Sequence, residues 1–367
     1  MTTTPQGPLS GLRVVEFDGL GPVPMAAMIL ADLGCEVIRI TRRADASQVW
    51  SEVGGSILHR NRRHIPLDLK DPNDRDGVLS LIKDADAVIE GFRPGVMERL
   101  GLGPDVCLAA NPNLSFVRMT GWGQTGPLAA RAGHDINYIS LTGALHAMGA
   151  ADQPPAPPLN LVGDYGGGAM FAVVGLLSAV MAVRAGGPGQ VVDVAMTDGS
   201  AVLSSLFHAL GASGLWSDRR GTNLLDGSHP FYRCYVCADG KHVAVGALEP
   251  QFFSQLLAGL DIAPDRFSQF DRAAWPSMEA AFAQAFATRT RDDWADVFKG
   301  TDACVSPVLS FQEAAGHPHN HARDAYPAAG GMAQPAPAPR FSGTPLAVDD
   351  ARRGAANLDE IIRDWTL

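Results

Sequence analysis

Residues 12–40 read L-R-V-V-E-F-D-G-L-G-P-V-P-M-A-A-M-I-L-A-D-L-G-C-E-V-I-R-I. The apolar run 12–17 stops at a turn rich in glycine and proline. M-A-A-M-I-L-A-D-L-G then reads as a helix ending at Gly34, and E-V-I-R-I as a second strand. Strand, helix and strand in this order form a βαβ unit, which implies a parallel sheet. The pattern continues with a strand at 64–69, a helix from Asp71 to about Lys83, strands at 87–90 and 114–119, and G-F-R-P-G with a short helix between those two. Asp71 followed by Pro72 is an N-cap with proline in the first turn. The first 120 residues are thus expected to be a Rossmann-like α/β domain. Its strand ends carry Glu16, Asp18, Arg42, Glu90 and Arg93, where open α/β sheets bind ligands. The turn lacks G-x-G-x-x-G, because Pro22 and Pro24 stand where that fingerprint would continue, so a dinucleotide is not the expected ligand.

Beyond residue 137 the composition shifts to helical segments rich in Ala, Gly, Leu and Met, expected at 165–184 and 197–215 with V-V-D-V-A between them. F-Y-R-C-Y-V-C, the turn A-D-G and H-V-A-V-G-A-L read as a β-hairpin over 231–248, followed by helices at 249–260, 277–287 and 291–298. The fold class expected is α/β, a large Rossmann-like domain with a parallel sheet plus a smaller α+β domain. The boundaries are 1–195 for the large domain, 196–229 for a helical linker, 230–325 for the small domain, and 326–367 for a return tether and a C-terminal helix docking on the large domain. Residues 218–229 read as a polar loop free to move.

With 46% hydrophobic and 19% charged residues over 367 positions, much surface is apolar or covered by a second subunit, so an oligomer is expected. A formal charge of −10 gives no basic field for nucleic acid or anionic lipid. The apolar run 169–183 is too short to span a bilayer, and the N-terminus shows no apolar leader; the reading is a cytoplasmic protein away from membranes. Five scattered cysteines do not make a disulfide framework, and the C-x-x-C of Cys234 and Cys237 has no second pair to complete a metal site.

In a chain this poor in charge, G-H-D-I-N-Y at 133–138 and N-L-V-G-D-Y-G-G-G at 160–168 concentrate polar groups. The plain reading makes Asp135 and Asp164 helix caps with His134 a polar neighbour. The chemical reading makes them a site: free N–H groups of a helix start would face whatever lies beside His134. Three successive glycines at a helix start each cost about 1 kcal/mol against alanine, so close approach of a ligand or of another helix must use them. Glu249, before Pro250, is an acid at a helix start.

These phrases, with V-R-M-T-G-W-G-Q-T-G-P at 117–127 and G-A-L-E-P-Q-F at 246–252, closely resemble the 2-methylacyl-CoA racemases of the family III CoA-transferases, from residue 9 to about 341. The resemblance implies a coenzyme A thioester substrate, no separate cofactor, no metal, and an interlocked homodimer with shared active sites. His134 and Asp164 match the two bases on opposite faces of C2. Glu249 matches the acid bonded to the histidine, coming from the partner subunit, and Asn160 the residue beside the aspartate. Asp135 matches the nucleophile of the true transferases, which leaves transfer of CoA between carboxylic acids as the alternative. The resemblance supports Arg42 most at the CoA phosphates and places the adenine near Leu67, Asp68, Leu69 and Lys70; Arg60 and Arg62 are further phosphate candidates, Arg99 a phosphate or dimer candidate, and Gly133 and Tyr138 are counted with the CoA-binding residues. Met25, Met28, Trp122 and Tyr138 are candidate walls for the acyl chain, though such residues are more often core.

A 1,1-proton transfer requires one base deprotonated and one acid protonated across a flattened carbon. Histidine and aspartate serve both directions only if their proton affinities converge, with the carboxyl raised from about 3.9 by burial.

Overall fold

The structure is a computed structural model that describes residues 6–43, 54–329 and 331–366. The chain forms two compact units, one comprising Met1–Ala144, Pro157–Ser205 and His319–Leu367, the other Leu145–Ala156 and Leu206–Pro318.

In the first unit the βα alternation builds a seven-stranded sheet. Its strands are β1 (Arg13–Phe17), β2 (Glu36–Arg42), β3 (Arg63–Leu67), β4 (Ala87–Glu90), β5 (Ser115–Thr120) and β6 (Gln190–Ala195). The order is β3-β2-β1-β4-β5-β6, with the two-residue strand Gly354–Ala355 outside β3, and every neighbouring pair is parallel. This is the doubly wound order, and it reverses between β1 and β4. All residues of β4 and β5 are buried, as expected for a parallel sheet covered on both faces.

Alternation along β1 feeds two cores. Val14 packs with Ala26 and Leu30 of the Pro22–Asp32 helix and Leu176 of the Phe171–Arg184 helix. Val15 and Phe17 face Val78, Leu81 and Ile82 of the Pro72–Lys83 helix, together with Ile361 and Trp365 of the C-terminal helix Leu358–Thr366. Gly77 admits that terminal helix: a Cβ there would lie 2.5 Å from Leu358 Cδ2. Asp71 caps the Pro72–Lys83 helix as expected, accepting the Asn73 N–H at 2.9 Å.

Two helical readings are corrected. The 165–184 helix begins earlier, as a π-helix over Leu161–Met170 continuous with Phe171–Arg184. This 24-residue stretch is long and apolar enough to cross a membrane, but Ala169, Ala172, Val173, Leu176 and Val180 sit in the core. The segment 197–215 is two helices, Met196–Leu203 and Ser205–Ala212. The break falls at Ser204, whose hydroxyl donates to Ser200 O at 3.0 Å, a back-bond that bends helices.

The second unit holds an antiparallel sheet of β7 (Tyr232–Val236), β8 (His242–Gly246) and β9 (Val305–Pro307), in that order. The hairpin was legible; β9, three residues ending in proline, carries no strand pattern. Helices Pro250–Gly259, Trp275–Phe286 and Arg291–Val297 pack on it through Phe253, Phe282, Phe286 and Trp294. The 218–229 loop is tied down. Asp226 accepts the N–H groups of Gly221, Thr222, Asn223 and Ser228 at 2.9, 3.1, 2.9 and 3.0 Å. Arg220 donates to His146 O, Ala150 O and Gln153 O at 2.8, 3.0 and 2.8 Å.

Candidate active site

The G-H-D turn is set by an aromatic pair. Trp122, just after β5, meets Tyr138 edge-on with ring centroids 4.9 Å apart. Gly121 and Gly133 let that ring in: a Cβ on either would lie 2.0 or 2.7 Å from Tyr138 Cε1. The Tyr138 hydroxyl donates to Gly133 O, and burial, then the charge of Asp164, pushes it up to about 12. Tyr138 is therefore core, and it and Gly133 shape the turn.

The helix is Asp135–Ser140, and His134, not Asp135, holds the cap position. Asn137 Oδ1 accepts the His134 N–H at 3.1 Å, while the N–H groups of Asn137 and Tyr138 go to His134 O at 2.8 and 3.2 Å. The His134 side chain is exposed. Asp135, one residue inside the helix, is 7% exposed and turns inward. Its Oδ2 accepts the backbone N–H of Asp164 at 2.7 Å, and Gly163 makes room, since a Cβ there would lie 2.6 Å from that oxygen.

Asp164 lies in the first turn of the π-helix, with Asn160 at the cap position and Asn160 Nδ2 3.4 Å from Asp164 Oδ2. Gly21, at φ 73° before the Pro22–Asp32 helix, faces the carboxylate: a Cβ there would come within 3.3 Å of Oδ2. Asp164 thus stands beside the turn that follows β1, where the sheet order reverses. Burial raises its proton affinity most, the Asn160 contact opposes this, Asp135 adds to it and His134 opposes it. The structure therefore brings His134, Asp135, Asn160 and Asp164 together. Gly21 was missed; its signal was the turn dismissed for lacking a dinucleotide fingerprint.

The glycines after Tyr165 serve helix packing. A Cβ on Gly167 would lie 2.7 Å from Ser200 N and 2.8 Å from Met196 O, and one on Gly168 3.0 Å from Met196 Cγ. Gly167→Ala is expected to lower stability by roughly 1–3 kcal/mol through overpacking, more than the ~1 kcal/mol that alanine gains in helix propensity. A urea midpoint equal to or above wild type would refute this.

Glu249 lies in the other unit, exposed, at the start of the Pro250–Gly259 helix. Its carbonyl accepts the Phe252 and Phe253 N–H groups at 3.0 Å each, and Gln269 Nε2 holds the preceding Ala247 and Leu248 carbonyls at 3.0 and 2.9 Å.

The basic candidates divide. Arg42 at the end of β2, Lys70, Asp68 and Arg99 are exposed; Leu69 is half-buried and Leu67 lies in the sheet core. Arg60 and Arg62 are corrected, because neither reaches a surface where it could meet a phosphate. Arg62 is buried on Glu16 at 2.5 Å and Arg60 on Asp32 at 2.5 Å. Arg60 also donates to Gln334 Oε1 and Pro335 O at 3.2 and 2.6 Å, and Asn61 Nδ2 to Ala347 O at 3.1 Å, so H-R-N-R-R fastens the returning C-terminal segment. The strand-end acids Asp18 and Glu90 are bound to Arg39 and Arg118 at 2.7 and 2.8 Å. Arg93 is exposed at the end of β4, and its charge reaches Tyr138. Among the described residues no group of three His, Cys, Asp or Glu is arranged to hold a metal, and Cys234 is exposed while Cys237 is buried.

The chain is 42% identical over 362 residues to alpha-methylacyl-CoA racemase of Mus musculus, covering 97% of this chain and 93% of that protein. It is 32% identical to acetyl-CoA:oxalate CoA-transferase of Acetobacter aceti over 97% of this chain and 94% of that one. A solved CAIB/BAIF family protein from Brucella suis shares the fold at a TM-score of 0.80 and 27% identity, covering 94% and 95% of the two chains. The model of CoA-transferase family III matches residues 9–355, which include the parallel sheet, the His134 turn and the Asp164 helix, and the chain belongs to that family.

Proposed function

We propose that the chain is an isomerase that inverts C2 of 2-methylacyl-CoA thioesters by 1,1-proton transfer. The observation that carries this reading is the half-buried Asp164 carboxyl, set between Gly21 and Asn160, whose backbone N–H is held by Asp135, the residue next to the exposed His134. Neutral His134 takes the C2 proton from one face and protonated Asp164 delivers one to the other; the reverse pair serves the opposite enantiomer. The enolate-like intermediate develops charge on the thioester oxygen and needs pre-oriented donors. The N–H groups of Asp135 and Ile136 are candidates, since those of Asn137 and Tyr138 are already bound to His134 O. Asn160 steadies the Asp164 carboxylate. Glu249 comes from the partner subunit of an interlocked homodimer and orients the imidazole; the family resemblance and its exposed position support this. Exposed Met181, Leu203 and Leu206, at 70%, 50% and 55%, belong to the apolar surface such a dimer would cover. Arg42, Arg99 and residues 67–70 hold the ADP part of CoA, the acyl chain lies near the His134 turn, and the enzyme works in the cytoplasm.

The transferase alternative makes Asp135 the nucleophile, as the resemblance to the Acetobacter aceti protein would allow. Its carboxylate is buried and engaged with the Asp164 N–H, which favours the racemase. One enantiomer of a 2-methylacyl-CoA in heavy water, with no acceptor acid, is expected to racemise with deuterium entering C2. Turnover that depends strictly on an added carboxylic acid would overturn the proposal in favour of transfer.

A further inference from the structure

Asp135 is left without a part in proton transfer, yet it is the best-buried acid of the site. Oδ2 accepts the Asp164 N–H at 2.7 Å, while Oδ1 is buried with no hydrogen-bond partner among the described residues. An ionised carboxylate in such a place is costly unless it is paired or hydrogen-bonded, and the Asp164 N–H supplies the bond to Oδ2. The contact with Asp164 depends on Gly163, where any side chain would strike Oδ2. Three features therefore converge: a buried acid, a backbone bond to the residue that must hold a proton, and a glycine that permits the approach.

We propose that Asp135 is a positioning residue for Asp164: its carboxylate anchors the Asp164 backbone and sets a second negative charge beside that side chain, without attacking the thioester. This rests on the pairing of His134 with Asp164 proposed above. Asp164 must be protonated in one direction of the reaction, and an aspartate left to itself would be ionised near neutral pH. A like charge held close disfavours that ionisation, in the same direction as burial. The backbone bond keeps the two acids in register, so that position and proton affinity are set together.

The other charged or titratable groups around Asp164 do not replace this effect. His134, on the turn before the Asp135–Ser140 helix, opposes it. Tyr138 of the same helix keeps its proton well above neutral pH. Arg93, at the end of β4, is exposed. Asp198 is the acid of the Met196–Leu203 helix and is exposed, Arg118 of β5 is bound to Glu90 and Glu98, and Asp193 of β6 accepts the Gln124 N–H at 2.9 Å. The start of the Pro22–Asp32 helix presents glycine and proline.

The test compares Asp135→Asn, which keeps an acceptor oxygen but drops the charge, with Asp135→Ala, which drops both. Aspartate carboxyls labelled with carbon-13 are titrated by NMR, the Asp164 signal being assigned by its loss in Asp164→Asn. In Asp135→Asn the Asp164 midpoint is expected to fall by roughly one pH unit. The acid limb of the C2 deuterium-exchange profile should move to lower pH with it. Asp135→Ala should also free the Asp164 N–H and lose at least about tenfold more exchange at its optimum than Asp135→Asn, with the cooperative unfolding transition retained. An unmoved Asp164 midpoint in Asp135→Asn overturns the proposal, as does a rate that falls equally at every pH. If the wild-type protein takes up no deuterium, the racemase reading fails on its own, and the carboxyl titration still decides the role of Asp135.

Discussion

In heavy water, the His134→Ala protein is expected to stop exchanging the C2 proton of one 2-methylacyl-CoA enantiomer while it still exchanges that of the other. His134 makes its cap hydrogen bonds through backbone atoms, with its N–H held by Asn137 Oδ1 and its carbonyl accepting from Asn137 and Tyr138. The side chain is exposed, so truncation leaves the turn and the Trp122–Tyr138 pair in place. What is lost is the base on one face of C2, worth roughly 10²–10⁴-fold in rate. Asp164 remains on the other face, and its raised proton affinity lets it accept a proton and return one from solvent. Asp164→Asn should give the mirror result, losing the enantiomer that His134→Ala retains. Proton and deuteron NMR on each enantiomer reads both outcomes. Wild-type exchange of both enantiomers by His134→Ala would remove the histidine from the mechanism.

The pH dependence follows from the same geometry. Because burial lifts the Asp164 carboxyl above the usual aspartate range, its protonated form persists to higher pH than an exposed aspartate allows. A single proton shared between His134 and Asp164 is the active state, so the profile is bell-shaped. Activity falls on the acid side when both groups are protonated and on the alkaline side when neither is. Those apparent values belong to the pair.

How much of this could be read in the sequence depended on whether the signal was local. The β1 run, the Pro22–Asp32 helix and β2 announced themselves by period and punctuation, and the parallel sheet followed from them. Asp71 with Pro72 fixed a helix start to the residue. His134 and Asp164 were found because polar residues are scarce in this chain, but their relation came from family phrases, since no periodicity links positions thirty residues apart. The inward turn of Asp135 was not legible: an aspartate after histidine reads as a cap, and only packing against Gly163 and the Asp164 N–H shows otherwise. The arginines 60 and 62 show the same limit. A basic run in an acidic protein reads as an anion site, yet their partners Asp32, Glu16 and Gln334 lie as much as 274 positions away.

That burial makes Asp32→Ala the second large effect expected, here on stability. Asp32 and Arg60 expose 3% and 2% of their side chains. The carboxylate accepts from Arg60 Nε at 3.0 and 3.1 Å, from Arg60 Nη2 at 2.5 Å and from Asn61 Nδ2 at 2.8 Å. Removing it strands a guanidinium in the interior with, among the described residues, Gln334 Oε1 and Pro335 O left to answer it. Breaking one side of a buried pair of this kind costs about 3–5 kcal/mol. Denaturant unfolding should show that loss as a lowered midpoint, with residues 334–349 gaining protease sensitivity, because Asn61 also accepts the Asp349 N–H at 2.7 Å. The double variant Asp32→Leu with Arg60→Met should recover most of the stability, since a well-packed apolar pair of similar volume leaves no charge uncompensated. If Asp32→Ala unfolds at the wild-type midpoint, the buried pair does not fasten the returning segment.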